Sequence, residues 1–291
     1  RMEWKKLPSN RKISQRKPPV APKSSDSQMD GCRLMRAVIA LSGGMDSTAL
    51  LMRLLADGYK VSCLSYEYGQ KHNIELERAT KNILYLCQNG YQIEHRIVNL
   101  ESAMGIFHSA LIKGGEAIPE GHYEEQQMKA TVVPNRNAIF SSILYGYALS
   151  IALREDVRVM IALGVHSGDH MIYPDCRPEF YQSLEHAFQV GNWDSEKVEF
   201  HLPYIEGDKI TILRDAQQAI NKLGLDFNTV FRNTNTSYNP DSRGRSSGKS
   251  GADIERVLAF HAIDREDPIE YVDEWQVVLE HAIKVEQEMK T

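Results

Sequence analysis

The sequence has few cysteines and no long apolar run, and each shortage excludes a class of protein. Its four cysteines, Cys32, Cys63, Cys87 and Cys176, form no CxxC pair, so a zinc ribbon and a thioredoxin-like motif are both excluded. No window approaches the length and apolarity of a membrane-spanning helix. The first thirty residues contain no apolar segment of the kind found in secretory signals. We therefore expect a reducing, cytoplasmic setting.

Positive charge is scarce in most of the chain, although the net charge of −5 conceals this. Residues 1–30 contain eight Lys or Arg against three acidic residues, a net +5, which leaves −10 on residues 31–291. An acidic body without clustered Lys and Arg is not expected to bind duplex nucleic acid through its phosphates. The basic segment is rich in Pro, Ser and Lys, so we predict a disordered tail. An arm that contacts an anionic partner is the alternative.

Strand-like runs alternate with helix-like segments from residue 36 onward. Apolar runs predict strands at 37–41, 61–66, 92–100 and 157–165 and an edge strand at 198–203. Helical spacing predicts helices at 48–55, 73–89, 137–153, 180–188, 209–223, 254–260 and 275–288. This alternation predicts an α/β fold with a doubly wound, mostly parallel sheet and a small helical C-terminal region. The expected divisions are the tail at 1–33, an α/β domain at 34–232 and a C-terminal polar loop with helices at 233–291.

The loop after the first predicted strand contains the sequence SGGMDS at residues 42–47. Two consecutive glycines let the backbone turn sharply, and the helix that follows adds the partial positive charge of its N-terminus, a combination that binds phosphate. Asp46 could instead cap that helix. The string resembles the PP-loop of ATP pyrophosphatases, which implies an adenine nucleotide alpha hydrolase-like fold. A generic strand–turn–helix connection is the alternative.

Further strings narrow this resemblance to one family. They are YEYGQKH at 66–72, EGHYEE at 120–125, ATVVPNRN at 130–137, GVHSGDH at 164–170 and YPDCRPEF at 173–180. Over residues 36–260 the chain resembles the 7-cyano-7-deazaguanine synthase (QueC) family, to which the last string is highly specific. The string GRSSGKS at 244–250 is not a Walker A motif, because three residues separate its glycines where four are required.

The resemblance implies an enzyme that uses ATP twice. Family members activate the carboxylate of 7-carboxy-7-deazaguanine by adenylation, releasing pyrophosphate, and ammonia converts the acyl adenylate to an amide. A second adenylation with loss of AMP gives the nitrile preQ0, a precursor of queuosine. The implied cofactors are ATP and Mg²⁺, and the implied partners are the deazaguanine, ammonia and a second copy of the chain in a homodimer.

Site residues follow from the matched motifs and from side-chain chemistry. The catalytic candidates are Asp46, which is also a candidate magnesium contact, and Arg136, His170, Asp175 and Lys209. The residues expected to bind the nucleotide are Leu41, Ser42, Gly43, Gly44, Met45, Asp46, Ser47, Tyr66 and Gly164. Those expected to bind the deazaguanine are His72, His122, Tyr123, Asn137, His166, Asp169, Tyr173, Asp175 and Arg177. Arg136 could instead form an ion pair at a helix start, and each histidine could be structural.

The C-terminal region departs from the family. Family members hold a structural zinc ion with four cysteines, and the matching positions here carry Ser237, Ser247, Ser250 and Asp253. Serine hydroxyls are poor zinc ligands and one carboxylate cannot replace four thiolates, so we predict no bound zinc. We expect the predicted helix at 275–288 to stabilise this region in place of the zinc site.

This departure marks a divergent member and leaves two alternatives to preQ0 synthesis open. One is a QueC-like enzyme of a CBASS-type antiviral operon that conjugates a deazaguanine to a protein amine. The other is a non-catalytic nucleotide-binding module.

Overall fold

Five strands form the sheet on which the fold is built, in a computed structural model that describes residues 35–71, 73–115, 131–170, 173–237 and 240–289. The strands are β1 (Arg36–Ala40), β2 (Lys60–Glu67), β3 (Glu94–Asn99), β4 (Val159–Ala162) and β5 (Val198–His201). Their order is β3-β2-β1-β4-β5, and every neighbouring pair is parallel. The predicted α/β fold with a doubly wound parallel sheet is confirmed. The tail predicted at 1–33 lies outside the described residues.

Nine helices lie in the described part of the chain. They are α1 (Met45–Ala56), α2 (Ile74–Gln88), α3 (Glu101–Met104), α4 (Arg136–Glu155), α5 (Pro178–Gly191), α6 (Lys209–Leu223), α7 (Phe227–Arg232), α8 (Gly251–His261) and α9 (Trp275–Met289). α3 and α7 were not predicted from the sequence, because four and six residues are too few to show a helical period. Asp226 starts α7 by accepting a hydrogen bond from the backbone N–H of Thr229 at 2.7 Å.

The sheet separates two apolar cores, and β1 contributes to both. Ala37 and Ile39 face a core shared with α1, α2 and α6, whereas Val38 faces a core shared with α4 and β4. All three side chains are buried. A strand covered on both faces needs apolar residues throughout, which is why the sequence shows a continuous apolar run here instead of an alternating one.

The C-terminal helices form a third apolar cluster. Ile254 and Val257 of α8 pack against Val278, Leu279 and Ala282 of α9, and all five are buried. α8 also packs against α6, so the C-terminal region is joined to the helical layer that covers the sheet. Among the helices of the described ranges, none is long and apolar enough to cross a bilayer.

The strand order creates a crevice at one edge of the sheet. From β1 the chain continues outward through β2 and β3, and it later returns to the other side of β1 to form β4 and β5. The connections that leave β1 and β4 therefore diverge at the carboxyl ends of these two strands. Open α/β sheets bind ligands at such a switch point.

Candidate active site

The loop at 42–47 turns sharply between β1 and α1 and leaves the N-terminus of α1 open. Gly43 has a φ of +87°, and a Cβ at this position would overlap the backbone oxygen of Glu75 in α2. Gly44 is the N-cap of α1, and no side chain caps the helix. The N–H groups of the first turn are thus available to an anion. Asp46 does not cap α1, so the alternative role considered for it is excluded.

Two hydroxyls hold the shape of this loop. Ser42 Oγ and Ser47 Oγ lie 2.9 Å apart. The backbone N–H of Gly44 donates to Ser42 Oγ, and that of Ser42 donates to Ser47 Oγ, each at 3.2 Å. Leu41 and Met45, two predicted nucleotide contacts, have side chains that are buried in the core. Only their backbone atoms can therefore meet a nucleotide.

Asp46 lies at the centre of a cluster of charged side chains. Its Oδ2 accepts a hydrogen bond from Lys209 Nζ at 3.1 Å and lies 3.8 Å from His166 Nε2. Lys209 Nζ is also 3.0 Å from His166 Nε2 and 3.6 Å from Glu255 Oε2. The backbone N–H of Gly168 donates to His166 Nδ1 at 3.1 Å and orients the ring. The structure thus brings together three predicted residues: His166 of the loop after β4, Asp46 of α1 and Lys209 of α6. It adds Glu255 of α8 to them.

The environment of Asp46 keeps its carboxyl ionised. Burial by itself would raise the pKa of Asp46, but the charges of Lys209 and His166 outweigh it, and the pKa lies below its usual value. Asp46 Oδ1 is buried and accepts no hydrogen bond from the described residues. An ionised carboxylate oxygen with no donor is expected to meet a cation or a ligand N–H.

A cavity of about 280 Å³ lies at the carboxyl ends of β1, β2 and β4. Its wall includes the predicted residues Ser42, Asp46, Ser47, Tyr66, Arg136, Asn137 and Gly164. Tyr66 stacks on Phe140 with ring centroids 4.0 Å apart and donates from its hydroxyl to the Phe140 carbonyl at 3.0 Å. A Cβ at Gly164 would lie 3.1 Å from the Asp46 carbonyl oxygen, so a larger residue here would crowd the start of α1.

Several residues that line the cavity were not predicted from the sequence, among them Tyr68, Glu75 and Phe140. Tyr68 and Glu75 both interact electrostatically with Arg136. Burial raises the pKa of Glu75 to about 7, although the charge of Arg136 opposes the shift. The available signal was position, because Tyr68 and Glu75 belong to or closely follow the 66–72 string after β2.

The string at 173–180 contacts the start of α4 through Asn137. Asn137 donates from Nδ2 to the Asp175 carbonyl at 3.2 Å, and its backbone N–H approaches Asp175 Oδ2 at 3.4 Å. Tyr173 is buried, and its hydroxyl lies 2.8 Å from Thr131 Oγ1. Arg177 is exposed and donates from Nε to the His170 carbonyl at 2.8 Å.

Of the remaining predicted residues, only His170 and the backbone of Asp169 lie in the described part of the chain. His170 Nε2 is buried and has no hydrogen-bond partner among the described residues. Asp169 lies in a 3₁₀ turn at Ser167–Asp169, but its side chain is outside the described part of the chain. His72, His122 and Tyr123 also lie outside the described residues.

At the positions matched to the family's zinc ligands the structure shows a hydrogen-bonded cluster. Asp253 Oδ2 accepts from Ser250 Oγ at 2.7 Å and from Ser237 Oγ at 3.2 Å. Ser246, which the sequence analysis did not single out, donates to Asp253 Oδ1 at 2.7 Å. Ser247 Oγ instead accepts from the backbone N–H of Lys249 at 3.2 Å. Across the described residues no group of three or more His, Cys, Asp or Glu could hold a metal ion.

Comparison with known proteins links this site to one family. A family model described as "Queuosine biosynthesis protein QueC" matches residues 36–264. The 7-cyano-7-deazaguanine synthase 2 of Colwellia psychrerythraea is 40% identical over 239 residues, covering 82% of this chain and 99% of that protein. The 7-cyano-7-deazaguanine synthase of Marinomonas sp. is 40% identical over 236 residues, covering 81% and 98%. That of Methanoregula boonei is 39% identical over 237 residues, covering 81% and 99%.

Proposed function

The chain belongs to the QueC family, and on this premise we propose that it is an ATP-dependent carbon–nitrogen ligase that converts 7-carboxy-7-deazaguanine to the nitrile preQ0. The observation that best supports this function is the loop at 42–47, which faces a cavity at the switch point of the sheet and carries the ionised Asp46. A module that had lost catalysis would have no need to keep a buried lysine, a histidine and two carboxylates in contact.

The first step is the adenylation of a carboxylate. A carboxylate is a poor electrophile, so its oxygen attacks the α-phosphorus of ATP, pyrophosphate leaves, and an acyl adenylate remains. The hydroxyls of Ser42 and Ser47 and the first-turn N–H groups of α1 hold the departing pyrophosphate. The Tyr66–Phe140 pair offers a flat apolar wall for adenine. Lys209 lies behind Asp46, where its charge offsets the phosphate charge that builds up during transfer.

Asp46 fits a magnesium ion bound with ATP. Its Oδ1 is buried and accepts no hydrogen bond from the described residues, and its carboxyl is ionised. Mg²⁺ prefers one or two carboxylates together with substrate phosphates. When bound, the ion would neutralise charge on the pyrophosphate.

Ammonia then replaces AMP, and the amide is converted to the nitrile. Ammonia adds to the acyl carbon, one proton is lost, and AMP leaves. A second ATP adenylates the amide oxygen and pyrophosphate leaves; two protons are then lost from nitrogen, and a second AMP leaves. His170 Nε2, with no partner among the described residues, is the candidate proton acceptor. Arg136 clamps the substrate carboxylate, and the carboxylate of Asp175 accepts from the guanine-like N–H edge.

The assembly and location are part of the same proposal, and family membership supports them. The protein forms a homodimer in the cytoplasm. Exposed apolar residues on neighbouring elements, Leu153 of α4 and Ile97 of β3, are suited to a subunit contact. Light scattering after size exclusion tests the assembly and should give twice the chain's mass; the mass of one chain would contradict it.

Mass spectrometry of the products tests the function. The purified protein is incubated with ATP, Mg²⁺, 7-carboxy-7-deazaguanine and ammonium, and separately with candidate partner proteins in place of ammonium. We expect a free nitrile and AMP in the first reaction. A mass increase on a partner protein, without free nitrile, would instead support conjugation to a protein amine, and no AMP in either reaction would support a non-catalytic module.

A further inference from the structure

A buried carboxylate joins three separate segments near the nucleotide loop. We name as the Asp253 cluster the four residues Ser237, Ser246, Ser250 and Asp253, each of which is at most 6% exposed. Asp253 receives four hydrogen bonds, three from the serine hydroxyls and one from the backbone N–H of Ser250 at 3.2 Å. Four donors satisfy the acceptor sites of a carboxylate. The cluster is therefore closed and complete without another ligand.

Part of this cluster is an ordinary helix start, but part is not. Ser250 is the N-cap of α8 and forms a capping box with Asp253, a local device found at many helices. Ser237 and Ser246 take no part in that box, and they lie 16 and 7 residues from Asp253 in the sequence. Their two hydrogen bonds turn the capping box into a cross-link between α8, the loop at 246 and the segment at 234–237.

The cluster has the reverse arrangement of a zinc site. A zinc site surrounds a cation with anionic or electron-rich ligands, most often thiolates. Here a carboxyl group lies at the centre and three serine hydroxyls donate to it; burial raises the pKa of Asp253, and these hydrogen bonds oppose that rise. The positive end of the α8 dipole stabilises the same carboxylate. A zinc ion at this position would meet hydroxyls in place of thiolates, so the residues present do not fit it.

The segment held by Ser237 also contacts the nucleotide loop. The backbone N–H of Asn235 donates to the Gly43 carbonyl at 2.9 Å, and Asn235 Nδ2 donates to the Ser237 carbonyl at 2.9 Å. Asn235 and Ser237 both line the cavity. A shift of this segment would therefore be transmitted to Gly43 through one residue.

A second path connects α8 to the same loop. Glu255, two residues after Asp253, lies 3.6 Å from Lys209, which donates to Asp46. Arg256 follows directly and is fully buried, where it pairs with both oxygens of Asp267 and donates to Thr234 at 2.8 Å. α8 is thus connected to Gly43 through the segment at 234–237, and to Asp46 through Glu255 and Lys209.

We propose that the Asp253 cluster is a metal-free cross-link that positions the nucleotide loop through Asn235, at the place where the family pattern has a zinc site. This proposal rests on the proposed function in one respect, since it takes residues 42–47 as the ATP-binding loop. Asp253 and Ser246 act as positioning residues, because neither is among the residues that line the cavity.

Two neighbouring serines provide a matched test. Ser246→Ala removes a hydroxyl that donates to Asp253, whereas Ser247→Ala removes the next hydroxyl, which does not contact Asp253. A hydrogen bond to a buried carboxyl group is lost only in Ser246→Ala, so we expect its Tm to fall by about 4–8 °C. We also expect its KM for ATP to rise at least about threefold, with the KM for 7-carboxy-7-deazaguanine unchanged. Ser247→Ala should match the wild type in all three values.

Metal content provides an independent readout. The protein as purified should contain less than about 0.1 zinc per chain by elemental analysis, and dialysis against a chelator should leave its Tm unchanged. These measurements and the Tm comparison need no activity, so they test the cluster even if the protein does not release AMP. The proposal is overturned by about one zinc per chain whose removal lowers Tm. It is equally overturned if Ser246→Ala and Ser247→Ala have the same Tm and the same KM for ATP.

Discussion

Gly43→Ala tests whether the close contact between the nucleotide loop and α2 is required for activity. A Cβ at Gly43 would overlap the backbone oxygen of Glu75, and backbone cannot move aside as a flexible side chain can. Gly58 is a matched control, because its φ of +84° is close to the +87° of Gly43, yet a Cβ at Gly58 would meet no atom within 4 Å. Both replacements place alanine in the left-handed region, at about 1–2 kcal/mol each. Only Gly43→Ala adds a collision.

The collision should reduce catalysis far more than stability. We expect Gly58→Ala to lose about 2–8 °C in Tm from backbone strain, and Gly43→Ala to lose more, because the collision adds the cost of moving backbone. In Gly43→Ala the loop or α2 must also shift, and a displacement of about 1 Å in an active site can reduce the rate about 10²-fold. AMP release should therefore show kcat/KM for ATP about 100-fold lower in Gly43→Ala and within about twofold of wild type in Gly58→Ala. Equal AMP release by the two variants would refute this reasoning.

Three other substitutions test the polar side chains of the site. Lys209→Met removes the cation beside Asp46 and Glu255, so kcat/KM for ATP should fall about 10²–10³-fold while circular dichroism still shows a folded protein; unchanged AMP release would contradict the role of Lys209. Burial raises the pKa of Glu75 from 4.5 to about 7, so the folded chain binds more protons between these values, and the stability due to protonated Glu75 is lost as pH rises through 7. Melts from pH 5 to 8 should show wild type losing Tm relative to Glu75→Gln, and parallel curves would count against this. Asp175→Asn should raise the KM for the deazaguanine and leave that for ATP unchanged, whereas equal increases would argue against a role in substrate recognition.

Local signals were sufficient to predict the sheet and the nucleotide loop. The apolar run at 37–41 and the two glycines after it lie next to each other in the sequence, and the contacts that define this turn are also mostly local. Family resemblance added His166, which lies in the string at 164–170, and side-chain chemistry added Lys209 at the start of the predicted helix 209–223. Nothing in the spacing of these residues joins them to residue 46. The structure shows the three side chains in contact.

Contacts across the sheet could not be predicted in this way. Glu75, near the start of α2, meets Arg136 from 61 positions away, because the segment after β2 and the start of α4 lie at the same edge of the sheet. Ser246 was missed for a different reason, since the alignment of cysteine spacing selects Ser247, while the backbone after Gly244 turns Ser246 toward Asp253. Spacing identifies the segment, but the direction of a side chain depends on the folded loop.

The ratio of AMP to nitrile tests the central claim most directly. The wild-type protein is mixed with ATP, Mg²⁺, ammonium and 7-carboxy-7-deazaguanine, and AMP and the nitrile are quantified in the same sample. Two adenylations per substrate predict two AMP for each preQ0 at completion. One AMP per substrate with an amide or a protein conjugate as the end product would contradict nitrile synthesis, and no AMP at all would contradict the assignment of the loop at 42–47 to adenylation.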